Sequence, residues 1–206
     1  MKHLNKKEKD VLNAFKNEGR ITLKDLAKKV NLPISSVNKI VMRIEDNIVK
    51  SLDKNDGIIL NILQANCRTS LTAIAKQVNL SVDSVKQRIK KMENIIFYPK
   101  VQIRPRPFGF DHIVDVKIKL NNHSKGELDH FIDYLTNNPR VSEIFSVGGE
   151  YDLSIVIIAK DAADLGDIDS EINKKFGRII NSWIESTSLK AHKFEIYDMI
   201  KLINSV

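Results

Sequence analysis

The sequence predicts an α+β protein in which two small helical units precede a mixed domain with the order β-α-β-β-α-β. Three observations lead to this prediction. The basic N-terminal half repeats itself after 48 residues, each copy carries short amphipathic helices, and the acidic C-terminal half alternates strand and helix patterns. The chain has 206 residues, which is long enough for two small helical units and one mixed domain. The predicted boundaries are 1–50, 51–106, 107–193 and, for a C-terminal helical extension, 194–206.

The charge differs between the two halves. Lys and Arg number 33 and Asp and Glu 26, so the formal net charge is +7. Residues 1–106 carry a net +12 and residues 107–206 a net −5. A small, strongly basic region is typical of proteins that bind the phosphate backbone of nucleic acids. A Lys-rich surface that serves only solubility gives the same charge, so other evidence has to decide.

The basic half contains two copies of one unit. Aligning the sequence with itself at an offset of 48 gives 15 identities over 46 positions without a gap. Val30-Asn31-Leu32, for example, falls on Val78-Asn79-Leu80. Duplication of one small structural unit explains this match economically.

The second copy shows a helix-turn-helix pattern. Helical periodicity covers 53–65, Leu71–Val78 and Val82–Glu93, and a serine before each of the last two helices can cap it. Only Asn79-Leu80 separates the second helix from the third, which permits a tight turn and nothing more. This pattern is typical of DNA-binding units. A plain three-helix bundle that contacts proteins is the alternative.

The third helix of the second copy is the predicted recognition helix. Its apolar stripe faces inward, so its polar side faces solvent, where Gln can pair with a base edge and Lys and Arg can neutralise phosphates. The predicted DNA-contact residues are Asp83, Ser84, Lys86, Gln87, Arg88, Lys90 and Lys91. A strand is predicted over Ile95–Val101 and supplies a wing. The segment that follows, Arg-Pro-Arg-Pro at 104–107, either contacts the DNA backbone or only links the domains.

The first copy departs from this pattern. Its third helix, predicted over Ile34–Ile44, has a less cationic outer face, on which Ser35, Asn38 and Lys39 are the candidate DNA contacts. The second copy begins too soon for a wing to fit. This copy is expected to bind DNA weakly, to pack on its twin or to contact another protein.

The acidic half predicts a ferredoxin-like domain. Four strand patterns and two helix patterns follow each other in the order β-α-β-β-α-β. The predicted strands are Ile113–Leu120, Val141–Val147, Tyr151–Ala159 and Ile179–Leu189, and the predicted helices are Ser124–Thr136 and 161–176. One sheet face stays open in this fold, and we expect it to be apolar and to pair with a second copy. A further helix over Phe194–Ile203 is expected to cover part of a sheet edge.

This ordered set resembles the leucine-responsive/asparagine-regulator (Lrp/AsnC) family of transcription regulators. The segments that carry the resemblance include 52–56, Arg68-Thr69-Ser70, Asn79-Leu80-Ser81 and Val147–Asp152. The resemblance covers about 52–193 and, through the repeat, 4–49. Family members usually carry one DNA-binding unit, so the extra N-terminal copy leaves the operator geometry open.

The resemblance implies double-stranded DNA as a partner and a homodimer that assembles further into tetramers or octamers. It also implies an amino-acid effector bound near the Gly-rich hairpin and the last strand. Two glycines in a turn expose amides to a ligand carboxylate, and Glu150 or Asp152 can meet an ammonium group. An ordinary hairpin with an Asp cap is the alternative. The implied effector residues are Gly148, Gly149, Glu150, Tyr151, Asp152, Ser186, Thr187 and Ser188.

Motifs of enzymes and metal sites are absent. There is no phosphate loop or nucleophile elbow, and the single cysteine excludes a cysteine-based zinc finger. We therefore expect no enzyme activity, no metal and no cofactor. The alternative class is a siroheme decarboxylase, which shares this architecture and would use His112, His130 or His192. The longest apolar stretch, Ile155–Ala159, is too short to span a membrane, and a cytoplasmic protein is expected.

Overall fold

The computed structural model describes residues 5–18 and 21–205, so Leu4 and Arg20 of the repeat lie outside the described residues. The chain forms two compact units. The first comprises the residues up to Val101 together with those from Glu195 onward, and the second spans Gln102–Phe194. Among the described residues, no helix is long and apolar enough to cross a membrane.

The first unit contains the two helical copies. The first copy consists of α1 (Lys6–Glu18), α2 (Leu23–Lys29) and α3 (Ile34–Val49), and the second of α4 (Lys54–Ala65), α5 (Leu71–Val78) and α6 (Val82–Met92). The predicted helices are confirmed, but α3 runs five residues past its predicted end at Ile44. Ile44 and Ile48 are both buried one turn apart, so the apolar stripe continues and keeps the helix wound.

The repeat in sequence is also a repeat in geometry. Asn31 and Asn79 occupy the turn before α3 and α6 with φ of 51° and 52°, a left-handed conformation that Asn tolerates. Thr22 and Ser70 cap α2 and α5 by accepting a hydrogen bond from the amide three residues ahead. Each copy therefore encloses its own core behind the same tight turn.

The predicted wing over Ile95–Val101 is wrong. After α6 the chain turns at Asn94, whose φ is 62°, and a single bridge joins Glu93 to Phe97. The described residues form no strand before 112. The reason is burial: the side chain of Ile95 is only 8% exposed and lies in the core of the first copy. The chain folds back to fill that core instead of extending as a strand.

The second unit is a four-stranded antiparallel sheet with two helices. Its strands lie in the order β2-β3-β1-β4, which confirms the predicted ferredoxin-like fold. Side chains from alternate positions of the two central strands meet Phe131, Leu135 and Ile172 of the helices in one core. The elements are β1 (His112–Leu120), α7 (Lys125–Asn137), β2 (Val141–Ser146), β3 (Leu153–Ala159), α8 (Ala162–Phe176) and β4 (Ile180–Thr187).

The open face of the sheet is mixed rather than apolar throughout. Ile113, Phe145 and Ile184 are exposed there by 38%, 51% and 46%. Between them β1 presents Lys117, whose Nζ lies 2.6 Å from the Ser154 hydroxyl of β3. The alternation of β1 causes this mixture, because every second residue from Asp115 to Lys119 is charged.

The predicted C-terminal helix is shorter than expected and lies elsewhere. Helix α9 covers only Met199–Ile203 and packs against α4, so it belongs to the first unit and not to the sheet domain. The Gln64 side chain donates to the carbonyl of Tyr197 and accepts from its amide, both at 3.0 Å. These bonds hold the residues before α9 in an irregular conformation, and Met199 completes the core of the second copy.

Candidate nucleic-acid interface and ligand site

Helix α6 presents a polar face to solvent, as its apolar stripe requires. Val85 and Met92 are fully buried in the second copy, whereas Asp83, Lys86 and Gln87 are exposed on the N-terminal half of the helix. Lys90 is exposed one turn further on, but it has an interaction within the chain. The face combines a base-pairing amide with cationic groups in the half of the helix that a major groove admits.

Ser84 and Arg88 serve the helical unit itself. The Ser84 hydroxyl accepts from Ser81, the N-cap, at 2.8 Å. The Arg88 guanidinium lies 2.8 Å from Asp56 and 2.9 Å from Asp53 at the start of α4. The Asp56 carboxylate is fully buried, and its hydrogen bond raises the pKa of Arg88, as does the bond to Asp53. Arg88 thus neutralises an acid that the fold has removed from water.

Lys91 also binds within the chain. Its Nζ donates to the carbonyl of Ser51, between the two copies, at 3.0 Å. Sequence reasoning assigned both Lys91 and Arg88 to DNA and missed these contacts. One feature of the repeat indicates a structural role for such arginines. Glu8 and Asp56 occupy equivalent positions, 48 residues apart, and both are buried acids. Glu8 pairs with Arg43 of α3.

The first copy exposes the face that the sequence predicts. Ser35, Asn38 and Lys39 all face solvent on α3. Two apolar side chains accompany them, Ile34 at 51% and Met42 at 60% exposure. This face is therefore less cationic than that of α6, but it keeps an amide with the donor and acceptor needed to read adenine.

The Gly-rich hairpin between β2 and β3 is open and polar. Gly148, Gly149 and Glu150 are exposed, Gly149 has φ of 120°, and a Cβ at either glycine meets only open space. The Asp152 carboxylate accepts from the Leu120 amide at 2.8 Å and faces the Lys119 ammonium at 3.2 Å. The hydrogen bond from the Leu120 amide, and then the Lys119 ammonium, lower the pKa of Asp152 below its usual value. Asp152 therefore has a structural task in holding the hairpin to β1.

A shallow depression of about 470 Å³ adjoins this carboxylate. It is lined by Leu120, Asn121, Asn122, His123 and Asp152. Sequence reasoning pointed to the hairpin but missed the three polar residues after β1, because they read as an ordinary loop. Amide and imidazole groups in such a place can bind both ends of a small zwitterion.

The two halves of the predicted effector site lie apart in one chain. Ser186 and Thr187 pair with Asp115 and Val114 near the start of β1, whereas the hairpin bonds to its end at Leu120. Five residues of strand separate these points by roughly 16 Å. The structure places Ser188 with the former group, since its hydroxyl binds Asp115 at 2.8 Å. A single chain does not bring Ser186, Thr187 or Ser188 to the hairpin.

The candidate histidines lie on three different segments of the second unit. His112 begins β1, His130 lies on α7 with its ring 5.4 Å from that of Phe176, and His192 lies between β4 and α9. Within 5–18 and 21–205, no group of three His, Cys, Asp or Glu residues is placed to hold a metal ion.

Comparison with known families assigns all three parts of the chain. An AsnC-type helix-turn-helix domain matches residues 52–93, and an Lrp/AsnC ligand binding domain matches 114–179. A winged helix-turn-helix DNA-binding domain matches residues 4–47. These matches confirm the resemblance drawn from the sequence. No curated protein matches the chain.

Three solved structures illustrate the similarity of the fold. An AsnC family transcriptional regulator from Agrobacterium tumefaciens is 25% identical, with a TM-score of 0.62, over 69% of this chain and 94% of that one. E. coli AsnC is 22% identical, with a TM-score of 0.61, over 71% and 98%. A transcriptional regulator from Neisseria meningitidis, in complex with L-Met, is 21% identical, with a TM-score of 0.62, over 69% and 93%.

Proposed function

Because the chain belongs to the Lrp/AsnC family of transcriptional regulators, we propose that α6 of its second helical copy enters the major groove of double-stranded DNA. One observation carries the proposal: the helix buries its apolar side and exposes Lys86 and Gln87 on its N-terminal half. Gln87 reads a base edge, Lys86 and Lys90 contact phosphates, and Asp83 accepts from a cytosine amine. Arg88 and Lys91 are left out of the proposed contacts, because each is half-buried and bonded to Asp56 or to the Ser51 carbonyl, whereas Lys90 is exposed.

Two variants of α6 test this assignment on fragments selected from genomic DNA. Gln87→Ala is expected to relax sequence preference at one base pair, since such a contact contributes about 1–3 kcal/mol of discrimination. Lys86→Ala is expected to weaken binding to all sequences alike. Lys174→Ala, an exposed lysine of α8, is the control for loss of one positive charge.

The outcome that contradicts the assignment is specific. If neither α6 variant differs from Lys174→Ala while all three remain folded, α6 is not the reading helix.

We further propose that the hairpin and the depression beside it together bind an amino acid. Support comes from its polar lining and from the Neisseria regulator of the same fold, which was solved with L-Met. The amides of Gly148 and Gly149 would bind the carboxylate. Glu150 would bind the ammonium group, because Asp152 is already engaged by Leu120 and Lys119.

A melting screen with the twenty amino acids tests this proposal. A bound effector raises the melting temperature by mass action. Glu150→Ala is expected to abolish that rise without changing the melting temperature of the free protein. Asp152→Ala is expected to lower the latter as well. A screen in which no amino acid shifts the wild type contradicts the proposal.

Finally, we propose that the open sheet face forms a homodimer, the unit from which tetramers or octamers would assemble. Ile113, Phe145 and Ile184 are apolar groups left exposed on it. Ile184→Glu is expected to convert the dimer to folded monomers in analytical ultracentrifugation. A wild type that sediments as a monomer contradicts the proposal.

A further inference from the structure

The junction between the two helical copies is short and fully bonded. Only residues 50–52 separate α3 from the N-cap of α4. The amide of Ser51 donates to Ile48, and the amide of Leu52 donates to Val49, at 2.9 and 3.0 Å. The Ser51 hydroxyl adds a third bond, to the carbonyl of Ile48. These bonds extend the end of α3 directly into the second copy.

The recognition helix of the second copy holds this junction. Lys91 binds the carbonyl of Ser51, and Arg88 binds Asp53, the N-cap of α4. Both side chains come from α6 itself. Any tilt of α6 relative to the end of α3 must therefore break charge-assisted hydrogen bonds.

An apolar seam joins the two cores on the same side. Leu52 and Ile96 each pack against both cores, and Ile95, which follows α6, is buried in the core of the first copy. The two copies thus share side chains, as parts of one packed body do. The direction of α3 relative to α6 is fixed by this packing and by the junction.

We propose that α3 and α6 of one chain read DNA together, as a tandem reader whose two recognition elements have a fixed spacing. The inference rests on the proposed function of α6 and adds a second reading helix to it. Asn38 of α3 supplies the base-reading amide, and Lys39 contacts a phosphate. The exposed lysines of α1, Lys6, Lys7 and Lys9, add sequence-independent affinity.

Selection from a pool of random double-stranded DNA with the full chain tests the proposal. We expect an enriched site with two elements at one spacing. Asn38→Ala with Lys39→Ala is expected to lose one element, and Gln87→Ala the other, each with about a tenfold loss of affinity for the selected site.

The spacing itself provides the sharper test. Inserting five base pairs between the elements moves one of them by roughly 17 Å and half a turn of the duplex. Affinity is then expected to fall to that of one element alone. Lys91→Met, which frees the junction, is expected to broaden the accepted spacings. Lys76→Met, at an exposed position of α5, removes the same charge without freeing Ser51 and is expected to leave the accepted spacings unchanged.

Each contrary result has its own meaning. A single enriched element that the α3 variants leave unchanged overturns the tandem reader and leaves α6 as the reading helix. In that case Ile34 and Met42 mark α3 as a surface for another protein. A folded protein that enriches no sequence overturns the proposed function and the tandem reader with it.

Discussion

Buried acids and their arginines organise each helical copy at the residue scale. The Asp56 carboxylate is fully buried, and the guanidinium of Arg88, whose side chain is 28% exposed, takes the place of solvating water. In the first copy Glu8 and Arg43 make the equivalent pair. The two arginines occupy positions that are not equivalent in the repeat, because the residue equivalent to Arg88 in the first copy is Ile40. Pairing of this kind depends on three-dimensional distance, so sequence reasoning read Arg88 as a DNA contact.

Replacing Arg88 separates the two interpretations of this residue. Arg88→Met leaves the buried Asp56 carboxylate without its countercharge, and the free energy of unfolding is expected to fall by roughly 3 kcal/mol. Lys86→Met, on the exposed face of the same helix, should change it by less than about 0.5 kcal/mol. Urea unfolding measures both. An Arg88→Met protein as stable as the wild type contradicts the structural role.

Asp152 makes stability depend on pH. Its pKa is lowered from 3.8 in the folded chain, first by the Leu120 amide. The charged form therefore stabilises the fold above the unfolded pKa, and this contribution is lost as pH falls through the folded pKa. Asp152→Asn removes this contribution, so we expect a deficit, under about 1 kcal/mol because the group is partly exposed.

The deficit of Asp152→Asn should shrink as the pH is lowered. Urea unfolding at about pH 6 and about pH 3 compares the variant with the wild type. A deficit that is equal at both values shows that the carboxylate charge does not hold the hairpin.

Helix caps and turns were the most predictable features at the element scale. Ser70, Ser81 and Asp161 cap α5, α6 and α8 as the sequence predicts, and Ser124, predicted as the first residue of its helix, is the N-cap of α7. Their side chains bond to amides three residues away, so the information is local. The wing and the C-terminal helix failed for the opposite reason. Ile95 and Met199 pack into cores formed by residues distant in sequence. Local periodicity carries no information about such contacts.

The contact of α9 with α4 predicts an unusual response to a glycine substitution. In α4, a Cβ at Gly57 would stand 3.2 Å from the backbone of Ile200, whereas at Gly166 of α8 it would meet open space. Gly166→Ala is expected to stabilise the chain by about 0.5–1 kcal/mol. Gly57→Ala should gain less, because α9 must shift.

Hydrogen exchange of residues 195–205 measures that shift. Faster exchange is expected in Gly57→Ala and not in Gly166→Ala. Equal protection in the two variants and the wild type would mean that α9 is not held by this contact.

The whole molecule divides its charge between two tasks. The basic half, with a net +12, supplies both helical copies, and the acidic half supplies the Lrp/AsnC ligand-binding domain. Composition and the repeat predicted a basic half of two helical copies and a separate acidic half, and the family resemblance implied ligand binding by the acidic half. The separation of the two halves of the predicted effector site was not predictable in the same way, because strand register pairs Ser186 with Asp115, five residues along β1 from Leu120. The resemblance to the family places these residues by their order along the chain, which does not reveal how far apart they lie in one protomer.

DNA affinity as a function of salt tests the central claim most directly. Each neutralised phosphate adds about −0.9 to the slope of log affinity against log salt. In the proposed homodimer, the proposed phosphate contacts of Lys86 and Lys90 from the two protomers would number four, so a slope of about −3.6 or steeper is expected with selected DNA. The purified full chain and a fluorescent duplex suffice for the titration. A slope near zero, or no binding at low salt by a folded protein, contradicts a DNA-binding regulator.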